Sequence, residues 1–467
     1  DWSSDVCSSD LRQAGAPDVH VGRGAPLLWV PSLYFVKGLQ FFVVMLIAGL
    51  MFKNLGVPNE QIARWTGLIG LAWAFKPLWS PFLELVRSQK RVVVAMQALG
   101  ALLLGAVALA LQTPAFFALT VALLFVLAYA AATHDIACDG LYMASLSSTQ
   151  QAAYAGWQGA FFNASKFLTL GLLVVWAGQL EQQLGVQAAW SWIFVGLAAL
   201  LAALAAWNAF ALPTGVQRAA GPGSARQVWQ TLREVVADFL RKPQIGRALL
   251  FIVLFRFAEG QVQTIGPLFL LEPRAQGGLG LSTAQMGAIY GGVGTAAFLV
   301  GSILGGAFAA RLGLRRAMPL LILAMAVPNA VFAWLGHARP ELDAGWALPA
   351  ALAGQGLALG DWTLRAPTHL SRITLAVAVE MLGYGFGFVG MILFLMQVLA
   401  PGRFLTAHYA LGTGVMQLGF IFSKAISGDL QAWMGYQRFF DWTVLAGLPV
   451  LALLAWIRWP DPADTPR

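Results

Sequence analysis

The chain has 467 residues, of which 58% are hydrophobic and 11% charged, with a formal net charge of +8. Soluble domains carry about 25% charged residues, so this deficit excludes an ordinary soluble fold. Mean hydropathy is +0.69, and the excess of Lys and Arg sits in a few loops between apolar runs, which fits orientation in a bilayer and not nucleic-acid binding.

Residues 1–25 are read as an unstructured N-terminus. Its first part, DWSSDVCSSDL at Asp1–Leu11, resembles a translated sequencing-adapter remnant and is set aside from functional reasoning together with Cys7. No cleavable signal peptide is expected, because the first apolar stretch runs on as a full span that would itself direct targeting. A span takes about 20 mainly apolar residues. Apolar runs and turn punctuation predict a first bundle over 26–212, with spans near 27–50, 61–83, 91–111, 115–140, 152–178 and 188–211.

A polar connection follows at 213–245, carrying Arg218, Arg226, Arg233, Arg241 and Lys242. Its Ser224–Leu240 portion has the spacing of an amphipathic surface helix. A second bundle is predicted over 246–458, with spans near 246–271, 283–310, 316–336, 373–399, 404–427 and 439–458, and 459–467 as a tail. Within an insertion at about 338–372, the stretch 344–360 is apolar but short and rich in glycine, and is read as extracytoplasmic or re-entrant and not as a span. Basic residues after the second span (Arg87, Lys90, Arg91), in the central connection and after the eighth (Arg311, Arg315, Arg316) all fall on one side, the cytoplasmic one. The expected fold is an all-α polytopic membrane protein with about twelve transmembrane helices in two six-helix bundles.

The halves echo one another. LYFVKG at Leu33–Gly38 lines up with FRFAEG at Phe255–Gly260, which sets Lys37 opposite Glu259, and AAYAGWQG at Ala152–Gly159 lines up with AHYALGTG at Ala407–Gly414. Two such repeats with a solute site between them near mid-membrane form a known transporter layout.

Charges inside apolar spans are costly, so they normally face a cavity, each other or a moving solute. Asp135 and Asp139 lie four apart on one helix face with His134 beside them, a cluster able to exchange protons or, with Asp139 at the helix end near water, one that only locks two helices together. Arg256, Glu259 and Gln263 form a stripe on the seventh span, where Glu259 is placed to choose between Arg256 and Lys37. A local packing pair of Arg256 with Glu259 is the alternative. Lys76 precedes Pro77, with Pro81 further on, where a broken backbone would offer free carbonyls. Gln158, Asn163 and Lys166 line the fifth span and suit hydroxyls or amides, while Trp73, Trp157 and Tyr384 are candidates for stacking on a sugar or for packing. Proton coupling is therefore expected from His134, Asp135, Asp139, Glu259 and Glu380, and solute binding from Lys37, Lys76, Gln158, Asn163, Lys166, Arg256, Gln263, Tyr384 and His408.

GGAFAARLGLRR at Gly305–Arg316 resembles the loop signature of the major facilitator superfamily. AWAFKPLWSP (Ala72–Pro81), THDIACDG (Thr133–Gly140), EMLGYGFGF (Glu380–Phe388) and TAHYALGTG (Thr406–Gly414) together resemble the AmpG-type muropeptide permease family, the peptide/acetyl-CoA transporter branch of that superfamily. The resemblance covers about 26–458 and implies import of anhydro-muropeptides or other bulky solutes, typically with protons. The reading is thus a multi-pass symporter of the bacterial cytoplasmic membrane, a monomer working on a small-molecule solute and protons in the lipid bilayer, without nucleic acid, cofactor or metal. A symporter of another saccharide or peptide is one alternative. A non-transporting assembly or pigment-delivery protein of the same fold is another. No phosphate-binding loop, HExxH or GxSxG pattern points to an enzyme.

Overall fold

The computed structural model describes residues 26–83, 86, 88–146, 148–213, 225–342, 345–347, 356–359, 362–365, 369–457 and 459. The N-terminal 1–25, most of the connection before the amphipathic helix, the middle of the 344–360 stretch and nearly all of the tail lie outside the described residues.

With no water to satisfy backbone amides in hydrocarbon, long apolar segments must close their hydrogen bonds internally, and they do so as helices. In chain order these are α1 (Pro26–Asn54), α2 (Asn59–Ile69), α3 (Leu71–Leu83), α4 (Gln89–Ala110), α5 (Phe116–Ser145), α6 (148–184), α7 (Val186–Ala211), α8 (Ala225–Leu240), α9 (Ile245–Leu271), α10 (Thr283–Leu312), α11 (Leu314–Ala338), α12 (Arg372–Leu399), α13 (Leu405–Ala446) and α14 (Pro449–Leu454). Among the described residues, nine helices are long and apolar enough to cross a membrane. The other expected spans are helical too, but with other boundaries. The second breaks at Gly70 between α2 and α3. The eleventh and twelfth run together as α13, with a non-helical Gly435 (φ 75°, ψ 167°) inside it. That left-handed φ suits glycine, and it swings Tyr436 toward the end of α9.

Two local expectations change. The helix α3 continues through Pro77 and Pro81, so no chain break lies beside Lys76. The described part of the insertion pairs as short antiparallel strands: Gly345–Ala347 with His369–Ser371, and Gly356–Leu359 with Trp362–Arg365. Within the connection, α8 turns Leu232, Val235 and Phe239 inward and packs on α3 and α13.

Small residues set the helix contacts, since lipid supplies no hydrophobic drive between helices. A Cβ on Gly291 would overlap the Leu170 carbonyl, and one on Gly178 the backbone of Ala284, so α6 and α10 touch backbone to backbone across the two halves. In EMLGYGFGF the glycines serve packing. Gly385 faces the Phe298 carbonyl of α10, while Gly383 and Gly387 face the Ala324 and Leu321 carbonyls of α11, which wedges α12 between them.

The buried apolar side chains fall into three clusters. One joins the halves, setting Ile47, Leu50 and Phe52 of α1 in one core with Ile265, Leu268 and Phe269 of α9. It occupies the end of the molecule away from the central connection. At the connection end the core divides: Trp29, Leu33, Val93, Leu141 and Leu212 belong to the first half alone. Phe239, Phe251, Leu314, Phe394 and Val450 belong to the second. Phe210 (86%), Trp433 (81%), Leu109 (75%) and Leu102 (73%) are exposed, a pattern that suits contact with lipid.

Candidate functional site

Two sets of charged side chains lie within the spans. The first is built inside the N-terminal half by α1, α3 and α5. One turn of α5 separates Asp135 from Asp139, and both carboxylates point at α1. Lys37 Nζ lies 2.7 Å from Asp135 Oδ1 and 2.8 Å from Asp139 Oδ1. The second Asp135 oxygen takes Lys76 from α3, and Tyr34 OH donates to Asp139 at 3.0 Å. Two ammonium groups thus face two carboxylates, so the desolvated charges compensate one another.

His134 stands apart from this set. Its ring is fully buried on a different face of α5, with Nε2 2.9 Å from Gln97 Nε2. Cys138 Sγ lies 3.3 Å away. From Gln97 the chain of hydrogen bonds continues through Asn208 to Ser32, which ties α4, α5, α7 and α1 together. The neighbour of Asp135 in sequence points elsewhere because adjacent residues on a helix differ in direction by about 100°.

The second set lies at the junction of the halves. On α9, Arg256 Nη1 is 3.2 Å from Glu259 Oε2, one turn along. Its guanidinium sits over the rings of Phe420 (4.5 Å), Phe388 (4.9 Å) and Tyr384 (5.7 Å), and it donates to Tyr384 OH at 3.2 Å. Gln263 donates to Glu380 of α12 at 3.1 Å and accepts from Tyr290 OH at 2.8 Å. Lys166 enters from α6, over the ring of Phe298 at 4.6 Å, and interacts electrostatically with both Glu380 and Glu259. Lys166 is thus a cation of the N-terminal half placed near two carboxylates of the C-terminal half. A second oxygen of Glu380 and both oxygens of Glu259 lack a hydrogen bond of good geometry among the described residues.

The expected competition of Lys37 with Arg256 for Glu259 is not what the structure holds: Lys37 is committed to Asp135 and Asp139, and Glu259 stays with Arg256. Repeat-equivalent positions need not share a contact, and here Lys37 and Glu259 each find a partner within their own half. His408 is also displaced from the site. It is buried at the connection end of α13 beneath α8, 3.5 Å from Asp238 and beside the rings of Phe239 and Phe404. Gln158 hydrogen-bonds Tyr142, and Asn163 returns its amide to the Gly159 carbonyl at 2.8 Å. Trp73 packs edge-on against Phe41, and Trp157 stacks on Phe161 of its own helix.

Three features were missed at the sequence level. The first is a polar clasp at the end where the cores join. Lys53 of α1 pairs with Glu272 after α9, and Tyr436 OH donates to the same carboxylate at 2.5 Å. Asn59 donates to Tyr436 at 2.7 Å and to Gln431 at 2.9 Å. Asn54 donates to Glu181 and to Thr283. These residues were passed over because they sit at span ends, where polar groups are ordinary. The second is Lys424, a charge inside an apolar run that the same rule would have flagged. The third is Tyr290, the phenol that completes the Gln263–Glu380 chain.

The profile of the Major Facilitator Superfamily matches residues 32–401. Among curated proteins, the anhydromuropeptide permease of Escherichia coli is 24% identical over 406 residues, covering 83% of this chain and 70% of the permease. Among solved structures, a mutant of the nucleoside transporter NupG superposes with a TM-score of 0.65 at 15% identity, covering 92% of this chain and 99% of that one. A POT family transporter in complex with 5-aminolevulinic acid gives 0.64 at 11% identity, covering 93% and 96%. A bacterial homologue of the human lysosomal transporter Spinster gives 0.62 at 13%, covering 92% and 95%. These likenesses establish the fold, and with a family profile matched over most of its length the chain belongs to the Major Facilitator Superfamily, as a multi-pass membrane transporter and not an enzyme.

Proposed function

We propose that this transporter imports a cell-wall muropeptide or related amino-sugar compound across the bacterial cytoplasmic membrane by proton symport and alternating access. The observation that carries the reading is the second charge set, where Lys166 of one half sits over Phe298, within electrostatic range of Glu259 and Glu380 of the other half. A carboxylate at a moving junction that gains a proton loses its hold on the opposing cation, and so couples protonation to the relation between the halves. Glu380, already held by Gln263, is the carboxylate best placed to take that proton. The first set, with its carboxylates balanced by Lys37 and Lys76, supports a positioning role within its own half.

The basic loops assign the connection end to the cytoplasm. With the core joined at the opposite end and divided at this one, the structure corresponds to a carrier closed toward the outside. The muropeptide assignment is supported by the permease relative and by the four segments named above. Right-side-out vesicles offered labelled wall fragments, sugars and peptides test it. Accumulation of a muropeptide, collapsed by a protonophore, is expected. Concentrative uptake that ignores the pH gradient would exclude proton symport, and preference for an unmodified sugar or peptide would replace the substrate.

A further inference from the structure

Among the described residues, Lys424 is a buried cation that the two charge sets do not use. It lies on α13 within the span, 5% exposed, and its ammonium donates to the Met45 carbonyl of α1 at 2.9 Å. Among the described residues it forms no ion pair and no carboxylate lies near it, whereas Lys166 has Glu380 and Glu259 within electrostatic range. An ammonium carries three donors, so two remain beyond the Met45 bond. A cation held away from water without a counter-charge is costly, and the ordinary remedies are a partner or an ion.

A cavity of about 30 Å³ opens beside it between the halves, lined by Lys424, Thr66, Gln263, Thr264, Tyr290 and the α1 residues around Met45. Since about 10–15 Å³ by this measure admits one water, the space suits two oxygens side by side, which is the head of a carboxylate. The polar wall is shared with the second charge set. Gln263 borders the cavity and at the same time donates to Glu380, and Tyr290 OH donates to Gln263. Occupation of the cavity would therefore be felt at Glu380 through one side chain.

We infer that Lys424 is the anion subsite of the carrier: it receives a carboxylate of the transported solute in the cavity between α1, α9 and α13, with Gln263 linking that carboxylate to Glu380. This rests on the transport reading above and adds to it the requirement that the solute be an acid. A neutral sugar would leave the ammonium uncompensated. The Met45 bond is then the resting contact of a side chain whose other donors serve the solute.

The test uses the full chain purified in detergent and two probes, N-acetylmuramoyl-L-alanine and its C-terminal amide, followed by shift in melting temperature. The acid is expected to bind about tenfold tighter than the amide, the discrimination of one charge-assisted hydrogen bond. Lys424→Gln should remove that difference and Lys424→Arg should keep part of it. Equal stabilisation of the unmutated protein by acid and amide overturns the inference without recourse to any variant. So does an acid preference that survives Lys424→Gln, or stabilisation by chloride equal to that by the acid. Uptake in vesicles separates this from the transport reading. Acid binding through Lys424 without any uptake would remove the symporter and leave the anion subsite. Uptake with equal KM for acid and amide would do the reverse.

Discussion

Lys53 and Glu272 form an ion pair that joins the two halves of the carrier at the end opposite the central connection. Both side chains are largely buried, at 12% and 9% exposure, and Tyr436 and Asn59 complete the carboxylate's environment. In the alternating-access cycle proposed above this end opens, so the pair would break in each cycle and its strength would bias the resting state.

Removing one member of a buried pair costs about 3–5 kcal/mol, much of it from the stranded partner. Glu272→Gln is therefore expected to loosen the clasp. A cysteine at Asn54, introduced with Cys138 replaced, should react faster with an impermeant thiol reagent from outside in the Glu272→Gln background. Lys53→Gln combined with Glu272→Gln should return part of the protection. Equal labelling rates in all backgrounds would show that the apolar core alone holds the end closed.

Asp135 holds two ammonium groups, so Asp135→Asn should do more than remove a proton site. It leaves Lys76 without its carboxylate, and the melting temperature and transport should both fall. Lys76→Met in the same chain should recover stability, since a buried ion pair exchanged for apolar packing is often neutral. Additive losses in the double variant would mean that Lys76 and Asp135 do not depend on one another.

Glu380→Gln mimics a permanently protonated carboxyl and keeps the side-chain shape. Counterflow exchange of solute should persist while accumulation driven by a pH gradient is lost, a separation that disruption of folding cannot produce. Gradient-driven accumulation at the unmutated level would remove Glu380 from coupling.

At Arg256 the planar guanidinium forms an ion pair with Glu259 and donates to Tyr384 while covering three aromatic rings. Lysine reproduces the charge but neither the fork nor the stacking. Arg256→Lys is expected to reduce uptake at least about tenfold, with each lost stacked or charge-assisted contact worth about 1–2 kcal/mol. Uptake within about twofold of the parent would show that charge suffices there.

Gly291 faces the backbone of Leu170 where α6 meets α10. Gly291→Val should prevent the halves from closing at that crossing and lower transport, whereas Gly196→Val, on a glycine with open space beyond it, should be tolerated. Similar losses at both sites would point to a general effect on insertion.

The helical, many-span character and the charges of interest were legible in the chain because a bilayer imposes length and apolarity on every crossing segment, and penalises each charge within it. Asp135, Lys37, Arg256 and Glu380 stood out for that reason. Their partners did not. Lys37 meets Asp139 across 102 positions and Gln263 meets Glu380 across 117, and no local spacing encodes which helix faces which. His134 and Asp135 are neighbours in sequence yet lie on different faces of α5, one among Gln97 and Cys138, the other between two lysines. Composition decided that charges would be paired, since an unpaired charge in hydrocarbon is expensive. Only helix rotation and packing, set by contacts such as Gly291 on Leu170 and Gly385 on Phe298, decided the pairs, and left Lys424 with a carbonyl and a cavity where the others found a carboxylate or an aromatic ring.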